Sequence, residues 1–328
     1  RLPENTQIVG FARSDYDHEE FRKRMKEALQ EFIPKRFDEE LWKRFAPLLS
    51  YVAGDLTRLE SFHKLDKYLR ENEAKCANRL YYLSVSPKFY DSTASNLDTA
   101  EMNHAPGCWR RIIVEKPFGT DLGSAQELNQ SLQSVFDENQ IYRIDHYLGK
   151  ETAQNIMFFR FANSMFEPIW NRNDVDPVQL TVAETVDVGH RAEFYDGTGI
   201  IRDMFQNHIL QLLTLVAMEP PASFHADPVR DEKYKVLRSI RPMEASYIAE
   251  NTVLAQYDGY MKTEGVKKDS RTPTYAALKM HIDNWRWQGV PFYLRSGKAL
   301  KDKVSEIVIT FKRPPHMMFP LPPGTRIK

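Results

Sequence analysis

The most chemically dense stretch of this chain is Arg143-Ile144-Asp145-His146-Tyr147-Leu148-Gly149-Lys150-Glu151. It brings a carboxylate, an imidazole, a phenol and an ammonium together. If a helix begins at Asp145 or His146, then His146 and Lys150 share a face at i, i+4 spacing. A helix start also offers unpaired backbone N–H groups and partial positive charge. Histidine, lysine and tyrosine donors at such a place suit a phosphate. The plainer alternative is a solvated basic turn.

Three further clusters carry reactive side chains. Glu115-Lys116-Pro117-Phe118-Gly119 follows an apolar run, Arg111 to Glu115, that reads as a strand. Open α/β sheets place ligands at such strand ends, and Lys116–Pro117 is a candidate for a cis peptide. Asp203 and His208 lie early in a run with helical spacing. A carboxylate beside an imidazole can fix its tautomer and support its charged form. Five residues on an ideal α-helix are about 140° apart, which speaks against that pair. Lys298 follows Gly297 at the end of Phe292-Tyr293-Leu294-Arg295-Ser296, where an ammonium can reach a ligand. Arg13 and Ser14 end the first apolar run. In dinucleotide-binding folds that neighbourhood meets the adenosine ribose, and an Arg there accommodates a 2′-phosphate.

The elements that must position these residues follow from periodicity. Gln7–Phe11, Leu48–Val52, Arg79–Val85, Arg111–Glu115 and Gln140–Ile144 read as strands. Helical runs, Asp17–Glu31, Leu56–Asn72 and Leu122–Phe136, separate several of them. Ser14 or Asp15 can cap the first helix. Such alternation implies a parallel sheet with crossover helices. Beyond Ile144 the pattern changes to helices at Thr152–Phe161 and Ile200–Met218 and to longer strands at Val178–Glu184, Thr252–Tyr257, Tyr275–Ile282 and Ser305–Phe311. That implies an α+β domain with a large, mainly antiparallel sheet. The boundary is placed at residue 144, and clefts between domains are usual ligand sites.

Composition narrows the function classes. The chain has 328 residues, more than one core usually organises. Lys plus Arg and Asp plus Glu are equal at 45 each, which argues against broad attraction to nucleic acid or membrane. No apolar run reaches the roughly 18 residues of a membrane span, and no leader is visible in the opening residues. Two cysteines, Cys76 and Cys108, make no dense disulfide framework, so a reducing compartment is expected.

Taken in order, GFARSD, NRLYYLSVSP, IIVEKPFG, YRIDHYLGKE, FANSMFEPIWNR, GIIRDMFQNHILQ, VRDEKYKVL and GVPFYLRSGKAL resemble the glucose-6-phosphate dehydrogenase family. The resemblance implies a Rossmann-like NADP-binding domain over 1–144 and an α+β substrate-binding and oligomerisation domain over 145–328. It implies oxidation of glucose 6-phosphate at C1 to the phosphogluconolactone, with hydride passing to NADP. It implies His208 as general base with Asp203 as its partner, and His146, Tyr147 and Lys150 around the phosphate. Glu184 corresponds to a carboxylate on the sugar hydroxyls, Lys116 to the residue between sugar and nicotinamide, and Lys298 with Lys303 to a basic pair at the substrate's edge. Arg13 and Ser14 correspond to readers of the 2′-phosphate. A cytoplasmic homodimer or homotetramer is implied, with no metal.

The chain departs from the family pattern in three places. The pattern opens with a strand and a Gly-rich GxxGDLA turn that cradles the pyrophosphate. Here Ala53-Gly54-Asp55-Leu56 resembles that turn but follows the Leu48–Val52 strand. The pattern also continues beyond Lys328, and Val188-Gly189-His190-Arg191 replaces a Glu-Gly-Arg-Gly run. Weak coenzyme binding and an incomplete first domain, unstable by itself, are therefore expected. An inactive homologue acting as a subunit or binding module is the competing reading.

Overall fold

A computed structural model describes residues 3, 5–316 and 318. They divide into two units, Arg1–Ile144 and Asp145–Lys328.

In the first unit, β1 (Ile8–Ala12) leads to α1 (His18–Phe32). The cap of α1 is Asp17, whose side chain accepts the Glu20 N–H at 2.7 Å, and not Ser14 or Asp15. Asp17 stands directly before the first helical residue in extended backbone, which an N-cap requires. Next come α2 (Glu39–Phe45), β2 (Leu49–Ala53), α3 (Leu59–Asn72), β3 (Arg79–Leu83), α4 (Tyr90–Thr99), β4 (Arg110–Glu115), α5 (Leu122–Val135) and β5 (Ile141–Ile144). Every strand pairing is parallel, but the strands form two sheets, β1-β2 and β3-β4-β5. Both sheets feed one core, in which Val52, Leu83, Ile112 and Val114 join Phe62, Leu97 and Leu132 of the helices. Gly54, in the GDL turn, permits this packing, since a Cβ there would lie 2.3 Å from the Phe11 ring. The Lys116–Pro117 peptide is cis. Cys76 and Cys108 are joined by a disulfide, a bridge that two cysteines of unremarkable spacing did not suggest.

The second unit runs α6 (Glu151–Phe161), β6 (Val175–Ala183), α7 (Ala192–Ile200), a π-helix (Ile201–Ile209), α8 (Leu210–Ala217), α9 (Ala226–Arg238), α10 (Ala245–Asn251), β7 (Thr252–Ala255), β8 (Tyr275–His281), β9 (Pro291–Gly297) and β10 (Val304–Phe311). Its sheet has the order β10-β6-β9-β8-β7. It is mixed: β6 and β9 run parallel, and the other three pairings are antiparallel. Alternate residues of β6 (Val178, Leu180, Val182) and β9 (Phe292, Leu294) enter one core with Met204, Phe205 and Ile209 of the π-helix and Leu212, Leu213 and Val216 of α8. The buried Arg160 of α6 donates to the carbonyls of Leu215, Val216 and Met218, each at 2.9 Å. A cation there closes the C-terminal end of α8, where orphan carbonyls and the helix dipole favour positive charge.

Sequence periodicity joins Ile200–Met218 into a single α-helix. Instead Ile201–Ile209 wind as a π-helix before α8 begins, just after a kink at Gly199 (φ 69°, ψ 168°). Strand register sets the other half of the site. Ala183 pairs with both Gly297 and Val304, so β6 and β9 end, and β10 begins, at one end of the sheet. Glu184, Lys298 and Lys303 therefore emerge together.

Candidate active site

Asp145 opens the second unit and caps a single 3₁₀ turn, His146–Gly149, by accepting the Tyr147 N–H at 2.9 Å. The helix expected to start at Asp145 or His146 begins only at Glu151, and Lys150 is extended. The i, i+4 alignment of His146 and Lys150 is thus absent. Tyr147 gathers the two side chains instead. The Lys150 ammonium lies 3.3 Å from the centre of its ring, and the His146 ring packs edge-on at 4.9 Å.

The second face of Tyr147 belongs to His208, stacked at 4.1 Å between ring centres, with His146 edge-on at 4.7 Å. His208 is 1% exposed, and its Nδ1 lies 2.6 Å from Asp145 Oδ1. The sequence reading gave a carboxylate partner as Asp203; the carboxylate bonded to Nδ1 is that of Asp145. Asp203 lies 3.3 Å from Lys298 Nζ, which also bonds Glu184 at 2.7 Å. The helical-angle argument against Asp203 and His208 fails as well. A π-helix bonds i to i+5, so residues five apart are neighbours along it. Asp203 and His208 are therefore neighbours along the π-helix, although the carboxylate on Nδ1 comes from 63 residues away.

The electrostatics follow from burial and these partners. Burial pushes the Asp145 carboxyl up, but the bonds from His208 and the Tyr147 N–H outweigh it and hold the group below the usual carboxylate range. Asp145 Oδ2 is buried without a hydrogen-bond partner among the described residues. Burial, then Glu184, raises the Tyr147 phenol to about 12, so it stays a donor. Burial, then repulsion from Lys303, pulls the Lys150 ammonium below its usual value. Two cations that disfavour each other are a place where an anion is welcome. Tyr195, which sequence reasoning passed over, is buried beside this network, its ring 5.2 Å from Lys298 Nζ. Asp145, His146 and His208 offer three ligand-type atoms within 4.8 Å of one another, which would also suit a cation.

The structure thus brings together His146, Tyr147, Lys150, Glu184, Asp203, His208, Lys298 and Lys303. Arg13, Ser14 and Lys116 belong to the first unit. Arg13 and Ser14 follow the C-terminal end of β1, where the Tyr51 hydroxyl donates to the carbonyls of Ala12 and Ser14 and fixes the turn. Lys116 follows the C-terminal end of β4. No helix among the described residues is long and apolar enough to cross a membrane.

Comparison with known proteins agrees with this architecture. Residues 1–155 match the glucose-6-phosphate dehydrogenase NAD binding domain, and residues 157–326 match the C-terminal domain of the same family. The chain is 44% identical to a glucose-6-phosphate 1-dehydrogenase of Rhizobium meliloti, an alignment covering 97% of this chain and 66% of that protein. It is 42% identical to one from Aggregatibacter actinomycetemcomitans, covering 97% and 67%. It spans about two thirds of the length of these relatives. The glucose-6-phosphate 1-dehydrogenase of Mycobacterium avium superposes with a TM-score of 0.86 at 39% identity, covering 97% of this chain and 68% of that one. A glucose-6-phosphate dehydrogenase solved with its substrate superposes at 0.88 with 38% identity, covering 97% and 67%. The chain belongs to the glucose-6-phosphate dehydrogenase family.

Proposed function

We propose that this chain carries the substrate site for oxidation of glucose 6-phosphate at C1, with NADP as hydride acceptor. The observation that carries the reading is the 2.6 Å contact between His208 and Asp145, set against Tyr147 with His146 and Lys150 around the same ring. Hydride leaves C1 only as its hydroxyl loses a proton, and a histidine oriented by a carboxylate can accept that proton near neutral pH. Asp145 occupies Nδ1, so Nε2 is the proton acceptor. Such a base contributes roughly 10²–10⁴-fold.

His146, Tyr147 and Lys150 hold the phosphate, with Lys303 adding charge. Glu184 and Asp203, spaced by Lys298, accept bonds from sugar hydroxyls. Lys116, just after the C-terminal end of β4, suits the nicotinamide side of the coenzyme. Phosphate binding, remote from C1, helps position the reacting carbon. Arg13 and Ser14 suit the 2′-phosphate of NADP: they stand at the C-terminal end of a parallel strand, on a turn pinned by Tyr51. NADP supplies the hydride acceptor when bound. The exposed Val253, Tyr293 and Val308, which share one face of the five-stranded sheet, support self-association as a homodimer or homotetramer, which sedimentation can test.

Calorimetry with glucose 6-phosphate and with glucose tests the phosphate assignment. Charge-assisted bonds to phosphate contribute roughly 1.5–3 kcal/mol each. His146→Ala and Lys150→Ala should weaken the phosphorylated sugar by at least about tenfold and leave glucose nearly unchanged. Equal losses for both sugars would remove the phosphate from this stretch.

A further inference from the structure

The segment Val229-Arg230-Asp231-Glu232-Lys233-Tyr234-Lys235-Val236-Leu237 has no part in the site as described so far. It lies on α9, which packs against α8, the helix that continues from the π-helix. Val236 is buried, and Val229 partly buried, in the same core as Tyr147, Met204 and Leu212. Lys233 follows Val229 by four residues and precedes Val236 by three, so all three share the core-facing stripe of α9. The lysine is half-buried there. A cation within an apolar stripe is costly unless a counter-charge meets it. The other cations of α9 have partners on the helix itself: Arg230 pairs with Asp227 at 3.1 Å, Lys235 with Glu232 at 2.7 Å, and Arg238 donates to the Tyr234 hydroxyl at 3.1 Å. Among the described residues, no hydrogen bond or ion pair reaches Lys233.

The Asp145 carboxylate shows the complementary imbalance. Its Oδ1 takes both bonds, from the Tyr147 N–H at 2.9 Å and with His208 Nδ1 at 2.6 Å. Its Oδ2 is buried with no hydrogen-bond partner among the described residues. A buried carboxylate oxygen left bare is as unfavourable as a buried unpaired ammonium. The two groups also feel each other. Burial pulls the Lys233 ammonium below its usual value, Asp145 opposes that fall, and Arg230 adds to it. Asp145, not an acid of its own helix, is the carboxylate in that balance.

We propose that Lys233 is a positioning residue for the proton-transfer pair: its ammonium faces Oδ2 of Asp145 and keeps the carboxylate turned so that Oδ1 stays on His208 Nδ1. The separation exceeds a direct hydrogen bond, a span that one water can bridge. The proposal rests on the reading of His208 as the base and deepens it: the group that orients the base is itself oriented from α9. Lys233 acts through Asp145, not on the sugar phosphate, so its removal should lower kcat and spare KM.

One-dimensional proton NMR of the full chain reads the pair without any turnover. The Nδ1 proton of a histidine bonded to a buried carboxylate resonates far downfield of the amides. That resonance should be present in the parent and lost in Asp145→Asn, which assigns it. Lys233→Met, similar in length and apolar, should shift or broaden it. Lys233→Gln is the second variant if the first does not fold. With glucose 6-phosphate and NADP, the folded Lys233 variant should lose about tenfold in kcat and keep KM within about twofold, a split that a merely structural role would not give. A parent without the resonance, a resonance unmoved in the folded Lys233 variant, or parent-like kcat in that variant would each overturn the proposal. A moved resonance in a parent chain that does not oxidise glucose 6-phosphate would uphold the link from Lys233 to Asp145 and count against the proposed reaction instead.

Discussion

His208 gains its orientation from Asp145, and Asp145 gains its ionised state from His208 and the Tyr147 N–H. The pair therefore has a pH signature. The folded-state pKa of Asp145 lies below its ordinary value of 3.8, so its contribution to stability is present above that value and is lost as pH falls through the lower folded value. Asp145→Asn should lower the unfolding midpoint at pH 6, and the gap to the parent should narrow below about pH 3.8. A gap independent of pH would contradict the assigned ionisation. At this scale the grouping of the side chains was legible: His146, Lys150 and His208 all lie around the Tyr147 ring. The partner of His208 was not. Asp145 stood in the quoted stretch, yet nothing local ties residue 145 to residue 208. The bond exists only because the loop after β5 meets the π-helix.

The π-helix governs how Asp203 and His208 are presented, and Gly199 sets where it starts. At φ 69°, ψ 168° Gly199 occupies a backbone region essentially restricted to glycine. A Cβ there would also sit 3.2 Å from Thr272 Cγ2. Gly199→Ala should cost on the order of 1–3 kcal/mol, read as a shift in urea midpoint, and should lower turnover by re-aiming the nine residues that follow. Wild-type stability and turnover in that variant would show that the break does not matter. Strand and helix periods gave the element types well, since each has its own repeat. They missed the π-helix, because its apolar residues also satisfy the α-period. They missed the parallel β6–β9 pairing too, because alternation along a strand says nothing of its neighbour's direction.

For the whole molecule, family membership covers both units, and the coenzyme choice rests on the first. Arg13→Ala should weaken NADP by about tenfold or more while leaving NAD nearly unchanged, because a guanidinium can form a bidentate ion pair with a 2′-phosphate but not with a 2′-hydroxyl. Fluorescence titration of both coenzymes checks this, and equal losses would move the 2′-phosphate elsewhere. The parallel α/β unit followed by an α+β unit was readable from the change in strand length and spacing. The two-sheet arrangement of the first unit was not, since strand patterns carry no record of which edges meet.

The central claim is that His208, held by Asp145, takes the C1 proton. Its most direct test is glucose 6-phosphate-dependent reduction of NADP, followed by absorbance at saturating substrate, for the parent chain and His208→Asn. The account predicts turnover reduced by roughly 10²–10⁴-fold with the KM for the sugar phosphate nearly unchanged. Turnover equal to the parent's would contradict it.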